Sequence, residues 1–231
     1  QVDTAQAEWE TTLPKWKVLV PQTFTAQAGT TLELQEDNSI LASGENPDKE
    51  TYEITTLLTD SNLTAMRLEG LTHDSLPHKG AGRSGNGNVV LTEFKVEIAG
   101  ADQPGSWQPI AFTRAWADHE QEDGDFQIGN VIDGKLETGW ATDGQKKREN
   151  RQAVFLAETP FGHAEGSSLR IRLKHQSQHA QHQFGRVRLA VTSSGAYTEK
   201  EIPLKLQDWY SLGPFPTEGL NQNHGPEGAP I

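Results

Sequence analysis

Gly129-Asn-Val-Ile-Asp-Gly-Lys-Leu-Glu-Thr-Gly-Trp140 is the stretch whose reading decides the fold. It sets an Asp-Gly turn between an apolar pair, Val131 and Ile132, and a Thr-Gly-Trp segment. Asp-Gly tolerates positive φ, and the carboxylate can cap its own turn. The residues that follow carry the chain back to Trp140, an aromatic large enough to anchor the core of a β-sandwich. The stretch holds no nucleophile–base pair, so it points to binding and not to catalysis.

Outward from it, the chain consists of short alternating apolar runs ended by turn residues. This is the signature of an antiparallel β protein. The pattern predicts strands over 16–20, 31–35, 40–43, 51–57, 63–71, 89–98, 110–117, 153–157, 169–173 and 187–192. Turn signals separate them, among them Gly29, Asp37-Asn38, Asn46-Pro47, Gly100, Asp143-Gly144 and Gly195. Only 3–11 could form a helix, and its length is marginal. Short strands at this density fit an all-β, jelly-roll-type sandwich.

A faint internal repeat lays residues 41–44, 52–55, 65–69 and 94–98 on 140–144, 152–155, 169–173 and 187–191. Two related halves, near 14–100 and 105–200, could be fused sandwiches. They could instead build one body over 12–206, which is favoured because each half has few strands with which to close a core. The remainder, 207–231, reads as an extended tail carrying Trp209, Tyr210 and Phe215, or as the start of a further module.

Composition excludes several functions. The 231 residues carry 20 Lys and Arg against 32 Asp and Glu, a net charge of −12. Non-specific nucleic-acid binding needs a positive surface and is not expected. Cysteine is absent, which removes thiolate metal sites, haem attachment and a cysteine nucleophile. No apolar run is long enough to span a membrane, so membrane insertion is not expected. Gln1 suggests a processed or excised piece.

The Ile132-Asp-Gly…Thr-Gly-Trp140 pattern resembles the discoidin-like (coagulation factor 5/8 type C) sugar-binding modules, which share a galactose-binding-type sandwich. Further segments extend the likeness: 34–44, 63–71 continuing through 74–93, 117–121, and Phe184-Gly-Arg-Val-Arg-Leu-Ala-Val-Thr192. Together they resemble a region of the large exported planctomycete proteins that join a c-type cytochrome domain to discoidin-like or concanavalin-like modules. The resemblance implies an extracytoplasmic, non-catalytic module that binds a polysaccharide or cell-surface glycan. Alternatively it positions neighbouring haem or enzyme domains and has no glycan of its own. The haem domain itself is not in this chain.

In discoidin-like modules the Asp-Gly turn often helps to hold a structural calcium. Here Asn130, Asp133, Thr138 and Glu93 could supply the oxygens, with Asp123 and Asp125 as further sources. A self-contained turn around Asp133, with no metal, is the competing reading. The glycine-rich run 77–88 lacks Gly-Lys-Ser/Thr and is no phosphate loop. As a long connection between strands it could carry ligand groups on Arg83, Asn86 and Asn88, or simply pack on itself. Trp107, after Gly105-Ser106, is the preferred exposed aromatic for stacking on a sugar, while Trp16 and Trp140 are expected in the core. His175, His179 and His182 have zinc-compatible spacing on a helix, yet lie between strand patterns. No catalytic triad is visible.

Overall fold

Residues 15–194 are described in the computed structural model of the chain, and all belong to one compact unit. The expected helix over 3–11, the ends of the 12–206 body and the tail 207–231 lie outside the described residues.

The strands are β1 (Lys17–Val18), β2 (Pro21–Ala26), β3 (Thr30–Leu34), β4 (Ile40–Gly44), β5 (Glu50–Leu58), β6 (Leu63–Gly70) and β7 (Val90–Leu91). They continue with β8 (Glu93–Gly100), β9 (Gln108–Pro109), β10 (Phe112–Ala117), β11 (Trp140–Ala141), β12 (Arg151–Phe161), β13 (Ser167–His175) and β14 (Arg186–Thr192). Two short 3₁₀ turns, Pro77–Lys79 and Ile128–Ile132, interrupt them. A seven-stranded sheet runs β10-β12-β6-β14-β4-β3, with β1 also on β14. A five-stranded sheet runs β2-β5-β13-β8-β9, and β11 pairs with β7.

Strict alternation makes β13 the clearest strand. Leu169, Ile171 and Leu173 point inward while Arg170, Arg172 and Lys174 point outward. The two sheets meet through their inner faces: Phe94 of β8 stacks on Phe155 of β12 with ring centroids 4.0 Å apart. Tyr52 of β5 donates its hydroxyl to the carbonyl of Phe184 at 2.9 Å. Each such buried apolar side chain contributes about 1.5–3 kcal/mol. The architecture is an all-β sandwich.

Two departures from the sequence reading have local causes. The expected strand over 89–98 breaks at Thr92, whose N–H and Oγ1 both donate to the carbonyl of Lys174. That anchor lets Val90–Leu91 leave the sheet and pair with β11. β2 was not expected; it opens on Pro21, and proline is tolerated at the first residue of a strand. In the 129–140 stretch the expected Asp-Gly turn forms: a 3₁₀ turn runs into an Asx turn at Asp133, Gly134 takes φ +78°, and the chain returns to β11. Val131 and Trp140 at its two ends are fully buried.

The faint repeat has a structural counterpart. The strand orders β1-β14-β6-β12-β10 and β9-β8-β13-β5-β2 correspond place by place, and the second half supplies the middle strand of the first half's sheet and vice versa. Registers agree as well. Leu68 of β6 pairs Ala153 and Leu189, and Ile171 of β13 pairs Ile54 and Val96. Met66 pairs Phe155 and Val191, and Leu169 pairs Thr56 and Ile98. At the edges, Lys17 pairs Val191 where Gln108 pairs Ile98, and Trp116 pairs Val154 where Thr23 pairs Thr55. The structural equivalence puts Met66 on Leu169, one residue from the sequence-based alignment, because a one-residue slip would turn every side chain to the wrong face. The described residues therefore do not form two sandwiches in series. The halves interleave in both sheets.

The same registers fix the ends. The connections 27–49, 71–92, 118–150 and 176–185 gather at one end of the sandwich, and the shorter 59–62, 101–107 and 162–166 at the other.

Candidate binding cleft

The long-connection end is knitted together by buried polar bonds. Arg83 is buried, donating from Nη1 to Thr30 Oγ1 and from Nη2 to the Gly44 carbonyl, both at 2.9 Å. Its own carbonyl accepts from Asn46 Nδ2, and its N–H donates to the carbonyl of Gln183. Asn88 is buried too. Its Oδ1 accepts from the N–H groups of Val89 and Gly144 and from Thr142 Oγ1, and its Nδ2 donates to Gln121 Oε1. Asn86 is exposed, but its Oδ1 closes a turn by accepting from Ser84 Oγ and the Asn88 N–H. A Cβ added at Gly82 would lie 2.2 Å from the Asn88 carbonyl oxygen, and one at Gly144 2.2 Å from that of Gly87. The glycines thus serve close backbone packing. Arg83 and Asn88, expected at a ligand, are instead spent inside the protein.

Asp143 holds the neighbouring turn in a left-handed conformation at φ +53°, an uncommon one for a residue with a side chain. Its carboxylate accepts from Gln145 Nε2 and lies 3.6 Å from His119 Nε2. Burial, with Lys147 and Arg151 close by, holds the His119 imidazole below its ordinary pKa despite that carboxylate.

The expected calcium ligands are engaged elsewhere. Asp133 accepts from the Lys135 N–H and from Thr138 Oγ1, which is a self-contained Asx turn. Asn130 donates its amide to Asp125 and to the Gly139 carbonyl. Glu93 pairs with Lys174 at 2.5 Å on the outer face of the five-stranded sheet. Lys146 binds Asp123. Among the described residues no group of three or more His, Asp or Glu side chains is placed to hold a metal ion.

The histidines separate as well. His179 lies beside His182 and Phe126. His175 is fully enclosed against Tyr52 and Phe184, and its Nε2 accepts from the Phe184 N–H. Burial pushes its pKa down to about 3. The sign follows directly: between about 6.5 and 3 the unfolded chain binds a proton that the folded one refuses. Stability is therefore expected to fall as pH drops below 6.5, by up to about 1.4 kcal/mol per unit from this residue. Urea titrations from pH 7 to 4 on the wild type and on His175→Gln check it; an equal slope in both would refute it.

Of the three tryptophans singled out, Trp140 is where it was expected and Trp16 and Trp107 are not. Trp140 is core, and its Nε1 donates to the His119 carbonyl. Trp16 is not core but half-buried on the outer face, with Arg67 above its ring at 5.0 Å. Trp107 is half-buried likewise, with Arg170 at 4.4 Å. The pairs Trp16–Arg67 and Trp107–Arg170 occupy equivalent places in the two interleaved halves. Each covers one ring face with a guanidinium, a stack that contributes about 0.5–1 kcal/mol at an exposed site.

Among the described residues, a concavity of ligand size lies at the short-connection end. It is a cleft of about 530 Å³, formed where the 101–107 connection and β9 stand beside the end of β12 and the turn at Gly162. Ile98, Ile110 and Phe161 supply apolar surface, and Asp102, Gln103, Gln108, Glu158 and His163 supply polar groups. Gly100 makes room for one wall: a Cβ there would lie 2.5 Å from Asp102 Oδ1 and 3.7 Å from His163 Cδ2. Glycine therefore lets the Asp102 carboxylate fold back toward the imidazole. Sequence reasoning passed over these residues. Their one signal is the polar run from Asp102 to Gln108, which reads as an ordinary turn until β12 is placed beside it. Trp107 sits in that run but turns its ring to Arg170 on the sheet face.

No family model, curated protein or solved structure matches the chain.

Proposed function

We propose that this chain is a non-catalytic glycan-binding module of an exported protein, with the cleft beside Gly100 as its site. The observation that carries the reading is the cleft's make-up, planar amide, carboxylate and imidazole groups around apolar surface. Sugars match such a surface, because their hydroxyls need planar hydrogen-bonding partners and their C–H faces need apolar ones. A volume of about 530 Å³ falls within the range of about 300–1,000 Å³ usual for small-ligand sites. The polar side chains come from β9, from the end of β12 and from connections held by the two sheets, and ligand groups on a rigid scaffold commonly sit at such places.

Affinity electrophoresis and a glycan array test the reading. Gln108→Ala and His163→Ala are expected to weaken binding by about tenfold each, the cost of one or two lost hydrogen bonds, with little change in melting temperature. Asn86→Ala, at the opposite end, is expected to leave binding unchanged. Trp107→Ala is expected to cost stability more than affinity. Absence of binding across neutral, acidic, amino and sulfated glycans would overturn the proposal and leave the docking role for neighbouring domains as the better account.

A further inference from the structure

The charge lining the cleft goes further than a generic sugar site. Its ionisable side chains are Asp102, Glu158 and His163, and neither lysine nor arginine is among the lining residues. Both carboxylates are exposed, and neither makes an ion pair or side-chain hydrogen bond among the described residues. This sets them apart from the carboxylates on the sheet faces, which are mostly paired. Glu97 is held by Arg170 and Arg172, Glu69 by Arg188, and Glu53 by Arg172. Asp37 shows the same pattern at a loop: burial raises its pKa, but bonds from Ser39 and Arg186 outweigh this and hold it down to about 2. In a chain of net charge −12, two unpaired carboxylates on residues lining one cleft favour a cation there over an anion.

Resting on the glycan-binding reading, we infer that the cleft selects sugars bearing a protonated amino group, and discriminates against sulfated and uronic-acid glycans. Asp102 faces the ligand from the 101–107 connection and Glu158 from the end of β12, so a ligand ammonium can be approached from two walls. Gly100 is part of the device, because it lets the Asp102 carboxylate lie over the backbone. An anionic sugar would bring a third negative charge with no cation in the lining to receive it.

The test is isothermal titration at pH 6 with two tetrasaccharides of the same backbone, β-1,4-linked glucosamine and its fully N-acetylated form, and with a sulfated tetrasaccharide. Exposed ion pairs are individually weak, so the expected preference for the amino form is about fivefold, with the sulfated form weakest. The double variant Asp102→Asn, Glu158→Gln should bind the amino and N-acetylated forms equally, so the readout is the ratio of the two affinities and not either affinity alone. Glu33→Gln, on exposed β3, should keep the preference, which separates the cleft from the net charge. Equal binding of the first two sugars, tighter binding of the sulfated one, or loss of the preference in Glu33→Gln would each overturn the inference while leaving the glycan-binding reading in place. Failure of all three sugars, together with an empty glycan array, would overturn both.

Discussion

Cleaved within its 101–107 connection, the protein is expected to stay folded as a two-fragment complex, while either fragment alone is unfolded. β6 has β12 on one side and β14 on the other, and β13 has β5 and β8. Neither half keeps a neighbour for its own middle strand once the other is gone. The first half would expose Met66 and Leu68, and the second Leu169, Ile171 and Leu173, all less than 1% exposed in the intact body. Each of these costs about 1.5–3 kcal/mol when returned to water, so the two or three exposed in either half already cost a large part of the roughly 5–15 kcal/mol that holds a domain together. The cut itself should cost little. Residues 101–106 are exposed, Gly105 sits at φ +90° with open space around it, and such loop tips tolerate nicking. A protease site placed after Gly105 allows the experiment in the full chain. Co-elution after cleavage, loss of the far-ultraviolet strand signal when the fragments are parted in urea, and its return on mixing are the expected results. A fragment that folds cooperatively by itself would show that the sheets are not shared as described.

Arg83→Ala should be the most damaging polar substitution at the long-connection end. Two of its donors reach Thr30 and Gly44, tying the glycine-rich connection to the β3–β4 hairpin. Its backbone is bonded to the connections on either side, through Asn46 and Gln183. Removing the guanidinium leaves a buried cavity and an unmet carbonyl at Gly44. Burial raises the pKa of the Tyr52 phenol, which Arg83 partly offsets, so the variant also withdraws a favourable neighbour from that hydroxyl. Broken buried networks of this kind cost about 2–4 kcal/mol. For a body of this size that is roughly 5–15 °C of melting temperature. Glycan affinity, measured below the transition, should be unchanged. A variant that melts normally but binds no glycan would return Arg83 to a ligand-facing role.

Arg83 also illustrates what could be read from the sequence and what could not. Strand positions were legible because alternation reports a sheet face directly, as in Leu169-Arg-Ile-Arg-Leu173. The Asp133 turn and the burial of Trp140 were legible because Asp-Gly and a tryptophan in an apolar context each have a local meaning. Arg83, Asn86 and Asn88 offered the right functional groups for a ligand, but hydrogen-bonding capacity is the same whether a group faces solvent or a neighbouring loop. Which of the two applies depends on Thr30, Gly44 and Gln121, distant in sequence. Trp16 and Trp107 carry the same lesson. Each looked different in its local context, yet they occupy equivalent positions and make the same contact with an arginine. The cleft was invisible for a related reason: Asp102 and Glu158 face one cavity only after β8 and β12 are assigned to opposite sheets.

The exchange of middle strands also has a consequence during synthesis. When residue 100 has been made, β5, β6 and β8 exist, but the strands that flank β6 lie near 151–161 and 186–192. At about 5–20 residues per second the ribosome needs roughly 5 to 20 s to deliver them. Until β12 is made the nascent first half presents an apolar strand with two open edges, and until β14 is made one edge stays open. Its production in the cell should depend on whatever shields such edges until the last strand emerges.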